Sequence, residues 1–190
     1  VTNLLNEKQL EISKLHQKIK EIGRKDSLTG LYNFDFFQEE LVRRINEYRR
    51  VKGIQFLSLA IIEVDQQSDL VDKYGYLSSN QVLTSVASRI SSIARQMDVV
   101  CRIGGETFAA ILPKCSIEGA LGFSERLRKN ICNAPFYIDS DKTEISVCIG
   151  TTEYAPDEEP PLFTSRAQQA LKDARSRGTN LVSHLVVEEE

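Results

Sequence analysis

The chain has 190 residues, 41% hydrophobic and 27% charged, which suits one globular domain with an appendage and excludes a fibrous or low-complexity protein. A formal net charge of −3 excludes a chain-wide basic footprint for nucleic acid or anionic lipid, so an anionic ligand needs a local basic site. No run approaches the roughly 18 apolar residues of a membrane span, and the N-terminus lacks the layout of a signal peptide.

Residues 1–24 read as a helix. Leu5, Ile12 and Ile19 recur every seven residues; Leu15 and Ile22 fall three further on, with Lys8 breaking that second row. The pattern predicts a short coiled coil, with a single amphipathic helix lying on the domain as the alternative. Asp26-Ser-Leu-Thr-Gly30 ends it with cap and turn residues. Phe34 to Tyr48 follows as a helix with Phe37, Leu41, Ile45 and Tyr48 on one stripe. Ile54 to Val64 has strand length and composition. Val82 to Ile93 is helical, with Val82, Val86 and Ile90 spaced by four.

Val99–Ile103 and Phe108–Leu112 form a β-hairpin about the Gly104-Gly105 turn. Ile117 to Ile131 is a helix, Ile145 to Thr151 a strand, Phe163 to Arg175 a helix and Asn180 to Val187 a last strand. Ala155–Pro161, with three prolines and three acids, reads as an exposed, mobile loop. The order predicts an α+β domain, a largely antiparallel sheet with helices on its faces, over residues 25–190 after the helix of residues 1–24.

Cys101, Cys115, Cys132 and Cys148 form no CxxC pair and have no zinc spacing with histidine. They read as small core residues kept reduced, which places the segment in the cytoplasm. His16 and His184 have no catalytic companion in sequence and read as surface residues. Glu63 and Asp65 end the first strand and share a face if the strand runs that far. Glu106 sits in the hairpin turn. Two converging carboxylates with a backbone carbonyl are a common way to hold Mg²⁺, although scattered surface acids look the same in sequence.

Three stretches together resemble the GGDEF domain of diguanylate cyclases. Asp26-Ser-Leu-Thr-Gly-Leu-Tyr-Asn33 is similar to the family's D-x-L-T-G-L-x-N entry. Arg102-Ile-Gly-Gly-Glu-Thr-Phe108 is similar to its R-x-G-G-(D/E)-E-F hairpin. Ala167-Gln-Gln-Ala-Leu-Lys-Asp-Ala-Arg-Ser-Arg-Gly178 is similar to its closing helix. The resemblance covers residues 26 to about 183. It implies a palm-like fold with a five-stranded sheet and a bond between Asp26 and Arg102. It also implies a chemistry in which two GTP-loaded domains face each other and two Mg²⁺ or Mn²⁺ ions stabilise the reacting oxygens.

By the same resemblance the signature is degenerate: Gly104, Gly105, Glu106, Thr107 and Phe108 keep the turn, but Thr107 stands where a carboxylate belongs. The metal set would be Glu63, the Val64 carbonyl and Glu106. The guanine-reading positions carry Val71, which has no polar side-chain atom, and Asn80, which has one acceptor oxygen where a carboxylate has two. Ser68 replaces a lysine and Thr179 an arginine, while Arg175 retains the charge of the phosphate-binding lysine. Lost partners of this kind cost roughly 1–3 kcal/mol each.

Arg95-Gln-Met-Asp98 is similar to the family's R-x-x-D inhibitory site, at the family's offset from the hairpin, and Arg126 matches a further arginine of that site. Planar guanidinium groups suit both base stacking and forked phosphate contacts. The plain alternative is a surface ion pair of Arg95 with Asp98. The reading is an inactive GGDEF domain that receives cyclic di-GMP at Arg95, Asp98 and Arg126 and requires no cofactor for that role. Its partners would be a second copy through the N-terminal helix and an upstream sensor. Because the chain begins with Val rather than Met, it reads as a piece of a longer protein whose upstream part holds the sensor and any membrane anchor. The alternatives are an active cyclase of relaxed base choice, using Mg²⁺ or Mn²⁺, and a dimerisation module that binds no nucleotide.

Overall fold

The structure, a computed structural model, describes residues 7–15, 23–51, 55–138 and 140–187. Helix α1 covers residues 7–15, every one of them exposed. Residues 1–6 and 16–22, with Leu5, His16, Ile19 and Ile22, lie outside the described residues. Then come α2 (Phe34–Arg50), β1 (Leu57–Val64), α3 (Gln67–Ile93), β2 (Val99–Gly104), β3 (Thr107–Pro113), α4 (Ile117–Cys132), β4 (Phe136–Ile138), β5 (Asp141–Thr143), β6 (Val147–Glu153), α5 (Pro160–Arg177) and β7 (Val182–Leu185). The order β2-β3-β1-β6-β7 makes a five-stranded mixed sheet in which only β6 and β7 run parallel. The α+β architecture expected from the element order is therefore present.

Strand alternation divides β1 between two cores. Ala60, Ile62 and Val64 join Val86, Ile90, Phe123 and Leu127 beneath α3 and α4. Leu57, Leu59 and Ile61 join Phe37, Leu41, Ile45 and Phe163 beneath α2 and α5. An eight-residue strand with only Glu63 short of full burial is what a central strand covered on both faces requires, which is why its sequence reads as a nearly unbroken apolar run.

Four local features depart from the sequence expectation. Helix α3 begins at Gln67 rather than Val82, because two helical stretches meet at Gly75, whose backbone is non-helical with φ 81°. Only glycine takes that conformation without strain, and the kink lets residues before and after it face the same cleft. The short hairpin of β4 and β5 was not anticipated, its strands being too brief to show alternation. β1 ends at Val64, so Asp65 lies past the strand, where its carboxylate accepts from Ser146 Oγ at 2.6 Å and from the Asn180 N–H at 2.8 Å. Finally, Ala155–Pro161 is anchored rather than loose. Glu158 is buried and takes Arg166 Nε at 2.7 Å and Nη2 at 2.5 Å, while Pro160 already opens α5 as a proline suits.

Candidate functional site

The hairpin turn is built around Arg102. Its Nε and Nη2 donate to the Gly105 carbonyl at 2.9 and 2.7 Å, and its Nη1 donates to both Asp26 oxygens at 3.2 Å. Asp26 also accepts from the Thr29 N–H and hydroxyl at 2.9 and 2.7 Å. Burial alone would raise the Asp26 pKa, but the Thr29 donors and Arg102 outweigh it and hold the carboxyl below its ordinary value. Arg102 thereby ties the segment that follows the N-terminal helix to the tip of the hairpin.

Two clefts flank that tip, one on each face of the sheet. The first, about 400 Å³, lies against α3 and is lined by Gln67, Ser68, Val71, Asp72, Tyr76, Ser79, Asn80, Leu83, Arg102, Gly105 and Glu106. The kink at Gly75 is what brings Val71 and Asn80 to one cavity. The Gln67 Nε2 donates to Ser79 Oγ at 3.2 Å, and its buried Oε1 has no hydrogen-bond partner among the described residues. Sequence reasoning missed Gln67 and Ser79, because it did not place the start of the helix there.

The second cleft, about 530 Å³, lies against α5. Its walls include Glu63, Thr107, Gln168, Lys172, Arg175 and Ser176. Alternation along β1 puts Glu63 on the Ile61 face, and the register sets it opposite Thr107. There the Arg175 Nη1 meets Glu63 Oε1 at 2.5 Å. Burial pushes the Glu63 carboxyl above its ordinary value against the pull of Arg175, and Glu106 and Asp65 push it the same way. Gln168, Lys172 and Arg175 form one stripe of α5 at i, i+4 and i+7. That spacing was visible in the sequence, yet only Arg175 was singled out.

The residues expected to hold a metal border both clefts. Glu63 is paired with Arg175 in one cleft while Glu106 lines the other, close enough to raise the Glu63 pKa. Among the described residues no group of three or more His, Cys, Asp or Glu could hold a metal ion. Of the two carboxylates that would hold a divalent cation with a backbone carbonyl, Glu63 is already paired with Arg175.

Arg95 and Asp98 lie at the other end of the hairpin. The Asp98 side chain is 1% exposed. It accepts from the Arg95 N–H at 2.7 Å and from Arg95 Nη2 at 2.9 Å, and the same Nη2 donates to the Pro113 carbonyl at 3.2 Å. Arg95 also hydrogen-bonds the Cys115 thiol. Arg126 is exposed on α4, with no ion pair or hydrogen bond among the described residues and no contact that joins it to Arg95. Since β3 has seven residues, the turn and Arg95 stand about 20 Å apart along the hairpin.

Cys115 lies against Arg95, and burial pushes its thiol up against the pull of that guanidinium; Cys101 and Cys148 take no part. Burial pushes Cys101 up to about 12 and Cys148 up to about 11, so neither is a thiolate at neutral pH. Among the described residues no helix is long and apolar enough to cross a membrane.

A family model described as "Diguanylate cyclase, GGDEF domain" matches residues 24–181. The protein YhcK of Bacillus subtilis, described as uncharacterized, is 31% identical over 159 residues, covering 83% of this chain and 44% of its own length. Diguanylate cyclase DgcP of Pseudomonas aeruginosa is 30% identical over 177 residues, covering 92% of this chain and 26% of its own length. The chain thus spans less than half of these curated relatives. Among solved structures, the coiled coil and GGDEF domain of DgcB from Caulobacter crescentus, in complex with c-di-GMP, superimposes with a TM-score of 0.85 at 27% identity, covering 95% of this chain and 97% of that one.

Proposed function

The chain belongs to the GGDEF family of diguanylate cyclase domains, and we propose that within cyclic di-GMP signalling it receives the dinucleotide rather than making it. The observation that carries this reading is the state of the R-x-x-D segment. The Asp98 carboxylate is covered and pinned to Arg95, which holds the guanidinium at the surface, 47% exposed. A fixed, half-exposed guanidinium offers a flat face to a guanine and a fork to a phosphate without first being ordered. Arg126 adds a second cation. DgcB, whose structure contains c-di-GMP, supports the choice of ligand.

The hairpin supports the other half of the proposal. Thr107 has no charge, Val71 offers its cleft no polar atom, and Glu63 is neutralised by Arg175. A catalytic centre needs preorganised charge aimed at the reacting phosphate, and these residues supply little of it. Calorimetric titration with cyclic di-GMP tests the reading. Binding in the micromolar range that weakens at least about tenfold in Arg95→Ala is expected. No heat at tens of micromolar, or an unchanged affinity in that variant, removes it.

A second reading, an active cyclase of altered base choice, is favoured by one observation. The α3 cleft persists and offers the amides of Gln67 and Asn80, which match a base edge that both donates and accepts. Incubation with each nucleoside triphosphate and Mg²⁺ or Mn²⁺, followed by chromatography for dinucleotides, decides between the two.

A further inference from the structure

The α5 cleft carries its own cation. Glu63 is 15% exposed and Arg175 is 56% exposed, with 2.5 Å between Nη1 and Oε1. The pairing follows from two regularities. Alternation along β1 turns Glu63 toward α5, and the helical stripe of Gln168, Lys172 and Arg175 brings Arg175 onto Glu63 and sets Lys172 on the same cleft wall. Around them the remaining polar groups are neutral: Thr107, Gln168 and Ser176. Glu106 is near enough to raise the Glu63 pKa, yet it lines the opposite cleft beside Arg102.

We infer that Arg175 is the resident counter-ion of Glu63 and sets the cation specificity of this cleft, standing where a divalent metal would otherwise bind and excluding it. Two physical effects enforce the exclusion. A divalent ion would have to displace a charge-assisted hydrogen bond from a partly buried carboxylate. It would then sit beside the displaced guanidinium of Arg175, in a cleft that Lys172 also lines and whose walls hold one carboxylate, Glu63. The guanidinium, by contrast, needs only one carboxylate and keeps its remaining donors for solvent or an anion. This inference is independent of what binds at Arg95.

Mn²⁺ alone is the probe, titrated into the whole chain and followed by the loss of its free paramagnetic resonance signal. Thermal melting of each variant reports that it is folded. Arg175→Gln is expected to bind Mn²⁺ about tenfold or more tightly than the unaltered protein. The Arg175→Gln/Glu63→Gln pair is expected to return to the starting level. Equal affinity in the unaltered protein and in Arg175→Gln overturns the inference, as does a gain that survives in the double variant. Glu63→Gln alone gives a separate reading should Arg175→Gln fail to fold. Its Mn²⁺ affinity is expected to equal that of the unaltered protein, and a clear loss would mean that Glu63 was open to metal all along. Cyclic di-GMP is absent from these titrations, so their failure leaves the receptor reading untouched, and its failure leaves them untouched.

Discussion

Gly150 sits where α5 crosses β6, and a Cβ there would lie 2.0 Å from the Leu171 nitrogen and 2.4 Å from the Ala167 carbonyl oxygen. Both obstacles are backbone, so no rotamer change relieves them. Overpacking of this kind costs about 1–3 kcal/mol and occasionally more. Gly150→Ala is expected at the upper end, about 3 kcal/mol, read as a lowered urea midpoint. Asp26 behaves differently, because its cost depends on pH. Its folded pKa lies below the unfolded value, so its contribution is present above the ordinary carboxylate range and is lost as pH falls through the depressed folded value. Asp26→Asn should therefore destabilise by about 2 kcal/mol at neutral pH. Urea titrations at successively lower pH should show the two proteins converging in strongly acidic buffer. Neither residue is a catalytic candidate; each fixes the position of something that is. Asp26 was legible in sequence through the entry motif. Gly150 was not, since nothing local distinguishes a strand glycine that a helix will touch.

At the scale of elements, the segment before α5 shows how a sequence pattern can mislead. Three prolines and three acids suggest a loose loop, but Glu158 is 3% exposed and paired with Arg166. The Tyr154 hydroxyl donates to the Glu158 carbonyl at 2.7 Å, and Arg49 Nη2 reaches the same oxygen at 2.9 Å. Removing one member of a buried pair leaves the other charge uncompensated, which costs about 3–5 kcal/mol. Arg166→Ala is expected to lose about that much and to open residues 155–159 to limited proteolysis while the rest of the domain stays resistant. The helices themselves were legible, because caps and i, i+4 stripes are local: Asn33 and Ser116 accept from Phe36 and Gly119 as N-caps should. The start of α3 was not legible, since the apolar period appears only after the kink at Gly75.

Taken whole, the molecule holds its two candidate regions at opposite ends of one hairpin, with the hairpin tip tied through Arg102 and Asp26 to the segment after the N-terminal helix. Ile12 and Leu15, the seam residues described on α1, are 53% and 52% exposed, leaving that side of the helix uncovered by the domain. A heptad seam so placed calls for a partner helix. Sedimentation of the full chain is expected to give a dimer, and of residues 25–190 a monomer; a monomer in both would remove the N-terminal helix as a dimerising element.

The sequence by itself determined the family, the α+β class, the hairpin and most of the helices. Each rests on residues within one motif or one period of each other. Only the tertiary structure decided which partners the charged groups take. Glu63 could have stood unpaired; the sheet register and the docking of α5 gave it Arg175. Glu158 could have been solvated; the fold buried it against Arg166. Arg95 and Asp98 do form the ion pair that the plain alternative expected, and the turn after α3 covers the carboxylate while leaving the guanidinium half-exposed. The physical reason is the same in each case: a charge finds its partner across elements distant in sequence, and no local pattern encodes which elements will meet.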